Sequence, residues 1–204
     1  MKAAIICREF PPNVYGGAGV HVKYLSQELA RIMSVEVRCF GDQDLREATR
    51  VARGYKGWDR VKSGEKFSPV LDTLSTNLAM VADAWDADVV HTHTWYAHFA
   101  GYMAQTLHGI PFVATCHSLE PLRPWKEHQL GRGYQLSTWM EDVGIQKADR
   151  VVAVSEVMKR DILECFKIPA EKVAVIHNGI DLDVWQRRPL DPALKQKYGI
   201  KDDF

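Results

Sequence analysis

Short apolar runs, each closing on a polar or glycine-rich turn, alternate along most of the chain with stretches that carry apolar residues at helical spacing. This alternation is the strongest constraint on the fold, because strands and helices in turn must bury their apolar faces against one shared sheet. The first instance is the clearest. Ala3 to Cys7 is an apolar run bounded by Arg8-Glu9-Phe10-Pro11-Pro12 and reads as a buried strand. Residues 13–19 form a glycine-rich loop. Val20, Tyr24, Leu25, Leu29 and Ile32 set a helical face between Ala18 and Met33, and Val35 to Phe40 is a second strand. Strand, loop, helix and strand within about forty residues make a βαβ unit, whose right-handed crossover leaves the strands parallel.

The pattern continues downstream. Leu71 to Trp85 predicts a helix with Leu71, Leu74, Leu78, Val81 and Trp85 on one face. Val89 to His93 predicts a strand, and Trp95 to His108 a helix closed by Gly109. Pro111 to Thr115 is a strand, 116–133 a long loop, Tyr134 to Lys147 a helix and Arg150 to Val154 a strand. Ser155 then caps a helix reaching Phe166, and Val173 to Ile176 is the last strand. Residues 41–70 are polar and read only as a helix plus a short strand pair. The expected fold class is α/β, a doubly wound, mostly parallel, Rossmann-like sheet over residues 1–185. In such sheets ligands bind outside the carboxyl ends of the strands. Residues 186–204, with Pro189 and Pro192, read as a linker.

Lys+Arg and Asp+Glu both number 26 in the 204 residues. A zero formal charge removes the general electrostatic argument for nucleic acid or a membrane surface as partner. Cys7, Cys39, Cys116 and Cys165 form no C-x-x-C pair and read as reduced thiols, which points to the cytoplasm. The aromatic content suits a core and equally suits flat ring faces against sugar C–H faces.

Several polar residues fall at predicted strand ends. Gly16-Gly17-Ala18-Gly19 opens the first helix, where free N–H groups and the positive dipole end favour a phosphate. The same residues also serve a tight strand–helix turn with no ligand. The loop lacks the Gly-Lys-Ser/Thr of a nucleotide P-loop, and Val22 stands where a dinucleotide fingerprint has its third glycine. His91 and His93 share one face of a strand, an arrangement that fits sheet-edge hydrogen bonding better than a metal pair. Thr94 and Trp95, just beyond, fit a ligand-facing role. His117 follows the strand ending in Cys116 and stands beside a loop holding Glu120, Arg123, Trp125 and Lys126; catalytic groups of this architecture lie at such positions. Glu9 and Ser155 occupy equivalent places, Ser155 more simply as a cap.

The runs REFPPNVYGGAGVHV (8–22), HTHTWY (91–96), HSLEPLRPWKEHQLGRGY (117–134), AVSEVM (153–158) and HNGID (177–181) resemble the N-terminal half of GT-B glycosyltransferases. The similarity is to the actinobacterial-type glycogen synthase and alpha-maltose-1-phosphate synthase group. It implies retaining transfer of glucose from ADP-glucose to an α-1,4-glucan or to glucose 1-phosphate. It implies that Gly16 and Gly17 face the donor diphosphate, and that His117 orients the transferred sugar and supports charge at the reacting carbon. Thr94, Trp95, Glu120, Arg123, Trp125 and Lys126 would shape the acceptor side. It further implies that residues 1–185 are the acceptor-side domain, that 186–204 lead to a donor domain outside this chain, and that this half alone is inactive. Neither metal nor cofactor is implied, since positive groups and helix ends stabilise the leaving diphosphate. Thr94 and Val14 replace an aspartate and a lysine of the wider glycogen and starch synthases, so those two roles do not carry over. Two other readings are a nicotinamide-dependent oxidoreductase, with Asp42 at the end of the second strand, and a non-catalytic glucan-binding domain.

Overall fold

A computed structural model of the chain describes residues 1–187 and 191–199. Its strands are β1 (Lys2–Cys7), β2 (Ser34–Phe40), β3 (Asp44–Arg46), β4 (Arg50–Tyr55), β5 (Val89–His93), β6 (Phe112–Cys116), β7 (Arg150–Ala153) and β8 (Val173–Val175). They form one sheet in the order β3-β4-β2-β1-β5-β6-β7-β8. Every pairing is parallel except β3 with β4. The α/β, mostly parallel expectation is therefore met. The polar segment 41–70 resolves into the β3–β4 pair and a 3₁₀ turn at Asp59–Val61, and β4 joins the sheet in parallel register with β2. Strand order switches at β1: β2 lies on one side and β5 on the other.

The helices are α1 (Gly17–Leu29), α2 (Ser68–Ala82), α3 (Trp95–His108), α4 (Lys126–Leu130), α5 (Gly133–Lys147), α6 (Glu156–Cys165) and α7 (Pro192–Tyr198). α4 and a 3₁₀ turn at Glu120–Leu122 occupy the segment expected as loop, and α7 lies in the expected linker. Residues 188–190 and 200–204 of that linker fall outside the described residues. Gly109 closes α3 in the left-handed conformation, as expected. Ser155 caps α6 by accepting the Met158 N–H at 3.1 Å.

Adjacent residues of β1 face opposite layers. Ile5 packs with Val22, Val35, Val37 and Ala52 on one side of the sheet. Ile6 packs with Val90, Ala97, Phe112 and Ile145 on the other. Two helical faces differ from expectation. Val20 of α1 is exposed, Ile32 lies in the turn past its end and is exposed too, and the buried stripe is Gly19, Val22 and Ser26, because the helix approaches the end of β1 through a glycine. In α2 Leu78 is 37% exposed while Thr73, Ser75, Thr76 and Asn77 are buried. Asn77 explains that polar face. Its amide donates to the carbonyls of Thr73 and Tyr96 at 2.9 and 2.7 Å, and its oxygen accepts the Ala100 N–H at 2.8 Å, joining α2 to α3 with its polar atoms satisfied.

Arg38, fully buried on β2, is a second brace. Its Nε donates to Glu36 at 2.8 Å, its other nitrogens donate to the carbonyls of Met80 and Ala84, and its guanidinium lies 3.9 Å from the Trp85 ring centre. The brace ties the carboxyl end of α2 to the sheet.

α3 lies close on β5 and β6 because position 101 is glycine. A Cβ there would collide with the Phe112 ring and the Thr92 methyl. In an open helix Gly→Ala stabilises by about 1 kcal/mol. Here the collision should reverse the sign, so Gly101→Ala is expected to cost about 1–3 kcal/mol in a urea titration. An unchanged or raised unfolding midpoint would contradict this packing.

Candidate functional site

β1, β5 and β6 are neighbours, so the residues just past them converge at one edge of the sheet. Glu9 follows β1 and folds back onto the glycine loop. Its Oε2 accepts the N–H groups of Tyr15 at 3.0 Å and Gly16 at 2.7 Å. A Cβ on Gly19 would stand 2.7 Å from the Glu9 Cβ, and one on Gly16 would stand 3.2 Å from its Oε1. Gly19 is thus required by the packing of Glu9, and Gly16 sits in tight contact with its carboxylate. The Gly16 N–H, expected to face a diphosphate, is already taken by an anion of the protein itself. Gly17 differs: a Cβ there would meet nothing within 4 Å, and no side chain caps the first turn of α1. The open, positively polarised surface is Gly17 and the amides that follow.

Five imidazoles gather beside it. The His93 and His117 rings share a hydrogen bond, Nδ1 to Nε2, of 3.1 Å. His91 pairs with Thr115 Oγ1 and His98 with Thr92 Oγ1, both at 2.7 Å. His91 and His93 do share a face, their ring centres 4.4 Å apart. His21 from α1 completes the group, 4.9 Å from the His117 ring and 5.2 Å from that of His93, with Asn178 hydrogen-bonded to it. Nitrogens of His21, His93 and His117 lie within 4.8 Å of one another, a donor set of the kind that can take a divalent cation.

Thr94, between β5 and α3, has φ 64°, the one positive φ on a non-glycine among the described residues. Such strain persists only where the surroundings fix it. The Thr94 Oγ1 and the Trp95 indole N–H are both buried without a partner.

The 117–134 segment is more inward-facing than expected. Glu120 is 0% exposed. One of its oxygens pairs with Lys126 Nζ and the other accepts from Ser137 Oγ at 3.1 Å; its carbonyl accepts the Tyr134 hydroxyl at 2.7 Å. Both carboxylate oxygens of Glu120 thus have partners inside the protein, where they hold the loop against α5. Arg123 reaches Ser118 Oγ at 3.5 Å and lies 4.0 Å from Glu120, and Trp125 is exposed. Asp42 stands exposed, 3.7 Å from Lys56.

The sequence profile described as Glycosyltransferase Family 4 matches residues 15–184. The chain belongs to that family. Alpha-maltose-1-phosphate synthase of Mycolicibacterium smegmatis is 45% identical over 194 residues, 95% of this chain and 48% of that protein. Glycogen synthase of Mycobacterium tuberculosis is 29% identical over 217 residues, 93% of this chain and 51% of the relative. The chain thus spans about half the length of the curated relatives it matches. Among solved structures, sucrose-phosphate synthase from Thermosynechococcus elongatus aligns with TM-score 0.73 at 16% identity, over 99% of this chain and 53% of that one. The catalytic domain of Starch Synthase IV from Arabidopsis thaliana, bound to ADP and acarbose, aligns with TM-score 0.64 at 14% identity, over 99% and 60%. The fold is that of one half of a GT-B glycosyltransferase. This family membership displaces the nicotinamide oxidoreductase reading.

Burial dominates the electrostatics of this site. It pushes His91 and His117 down to about 4 and His98 to about 3, with His93 also well below the ordinary imidazole value. The neighbouring imidazoles add to the effect. The cluster is therefore uncharged at neutral pH. Behind it, burial raises the Glu141 carboxyl to about 8, only partly offset by the Glu120 N–H that donates to its Oε2 at 2.6 Å. A carboxyl whose folded pKa is raised keeps its proton in the folded state, so it costs stability as pH climbs from about 4.5 to about 8. Glu141→Gln removes that cost. Its melting temperature should exceed that of the wild type by a margin that grows from pH 5 to pH 8; a constant margin would contradict a buried, protonated Glu141.

Proposed function

We propose that the protein provides the acceptor-side half of a retaining glucosyltransferase that moves glucose from ADP-glucose to an α-1,4-glucan or to glucose 1-phosphate. The observation that carries this reading is the 45% identity to an alpha-maltose-1-phosphate synthase across 95% of the chain. The site chemistry supports it. In the proposed step the bond from the glucosyl C1 to the diphosphate oxygen breaks, its electron pair leaving with ADP. The acceptor hydroxyl oxygen bonds C1 on the same face, and the hydroxyl proton passes to the departing diphosphate.

Each residue has a defined task in that step. Gly17 and the open first turn of α1 offer amides and a positive dipole end to the diphosphate, worth roughly 0.3–2 kcal/mol. His117 meets the transferred sugar. An uncharged imidazole there can accept from or donate to a sugar hydroxyl without repelling the positive charge that develops at C1, which an imidazolium would oppose. His93 fixes the His117 ring, so the lone pair and the N–H point in set directions. Thr94 and Trp95 face the acceptor, with Trp125 and Arg123 at the rim. The Glu120–Lys126 pair acts on this wall through the loop it holds. Residues 1–185 form the acceptor-side domain, the following segment leads to the donor domain, and the enzyme works without metal or cofactor in the cytoplasm.

The test is an assay of the full-length protein with ADP-glucose, offering glycogen and glucose 1-phosphate in parallel, with product configuration read by NMR. His117→Ala is expected to lower kcat roughly 10²- to 10³-fold with little change in melting temperature. Near-normal turnover would remove His117 from the mechanism, and a β-linked product would overturn the retaining assignment.

A further inference from the structure

Next to the transfer site lies a cavity of about 130 Å³ between the end of β1, the start of α3 and α4, with Arg8, Asp72, Trp95, Tyr96, Lys126 and Gln129 on its wall. The state of its polar groups is unequal. Lys126 is neutralised by Glu120. Arg8 is half-buried, 4.1 Å from the Tyr96 ring centre and 5.4 Å from that of Tyr15. Among the described residues its guanidinium makes no ion pair and no side-chain hydrogen bond. The indole N–H of Trp95, a residue only 3% exposed, has no acceptor either.

Unspent donors of this kind are costly unless a ligand uses them. A buried donor without a partner loses its hydration and gains nothing in return. Aromatic faces hold the Arg8 plane in place. A guanidinium fork so held matches two oxygens of a phosphate, which a lysine cannot do. The cavity is large enough for a tetrahedral oxyanion. Asp72 also lines the wall, but its unpartnered Oδ1 is buried against Gly57.

We propose that this cavity is the subsite for the phosphate of a sugar-phosphate acceptor, with Arg8 as its principal ligand and the Trp95 indole N–H as a second donor. The inference rests on the glucosyltransferase reading above and decides between its two acceptors, in favour of the phosphorylated sugar. A neutral glucan offers these donors only hydroxyl and ether oxygens, with no charge to match the guanidinium fork.

Initial rates of the full-length protein test it, with glucose 1-phosphate and a maltooligosaccharide as alternative acceptors. Arg8→Ala should raise KM for glucose 1-phosphate at least about tenfold, with KM for ADP-glucose moving less than about twofold. Arg8→Lys should recover only part of that loss, and Trp95→Phe should raise the same KM more modestly. A parallel rise in both KM values, a loss confined to kcat, or a wild type that extends the neutral glucan and ignores glucose 1-phosphate would each overturn the subsite. If neither acceptor receives glucose, the transferase reading fails. Calorimetric titration of glucose 1-phosphate and of glucose into the same proteins then decides the subsite alone. Binding of the phosphorylated sugar only, lost in Arg8→Ala, sustains it; equal binding of both sugars, or none of either, removes it.

Discussion

The reversal of strand order at β1 is the constraint on which the rest of the site depends. β2 and β5 flank β1 in parallel register, and their connections leave on opposite sides of the sheet. The helices that cover the two faces therefore diverge above the β1 carboxyl end and leave a crevice there. Everything argued to matter stands around that crevice: Arg8 and Glu9 after β1, Gly17 at the start of α1, Thr94 and Trp95 after β5, His117 after β6.

Desolvation gives the crevice its chemistry. Imidazoles that are ionisable near neutral pH in water are held uncharged here by burial and by one another. One carboxylate, Glu9, is bound to backbone N–H groups of the glycine loop and fills part of the space that a ligand anion would use. A second, Glu120, is consumed in bracing the loop after β6. Arg8, at the crevice, makes no ion pair among the described residues. A surface with neutral hydrogen-bonding rings at its centre and a guanidinium to the side suits a sugar carrying a single anionic group.

The architecture was legible because its central strands are buried on both faces and open on short apolar runs, as in Ala3 to Cys7 of β1 and Val89-Val90 of β5. β4 was not, since Arg50 and Arg53 interrupt it near the edge of the sheet. Its place beside β2 is decided by packing that no local period records. In α2 the expected face held only in part: Val81 is core and Leu74 packs against a core cluster, but Leu78 is exposed, while Asn77, a residue that looks solvent-facing in sequence, satisfies its polar atoms between two helices. His117 could be found from its place after a strand. His21 and His98 could not, since both lie on helices and join the cluster only through tertiary approach. Their one sequence signal is helical spacing from the motifs at Gly17 and Thr94. The internal uses of Glu9 and Glu120 were hidden for a related reason: a carboxylate reads as a surface or ligand group until its donors are known.

The most direct measurement is an NMR titration of the histidine side chains from about pH 8 down to about pH 5.5. A transfer site lined with uncharged imidazoles predicts that the His91, His93, His98 and His117 signals stay at their neutral positions throughout, with His117 reaching its midpoint only near 4. A His117 midpoint at the ordinary imidazole value of 6.5 would mean a solvated, chargeable ring, and would contradict the proposed basis of catalysis.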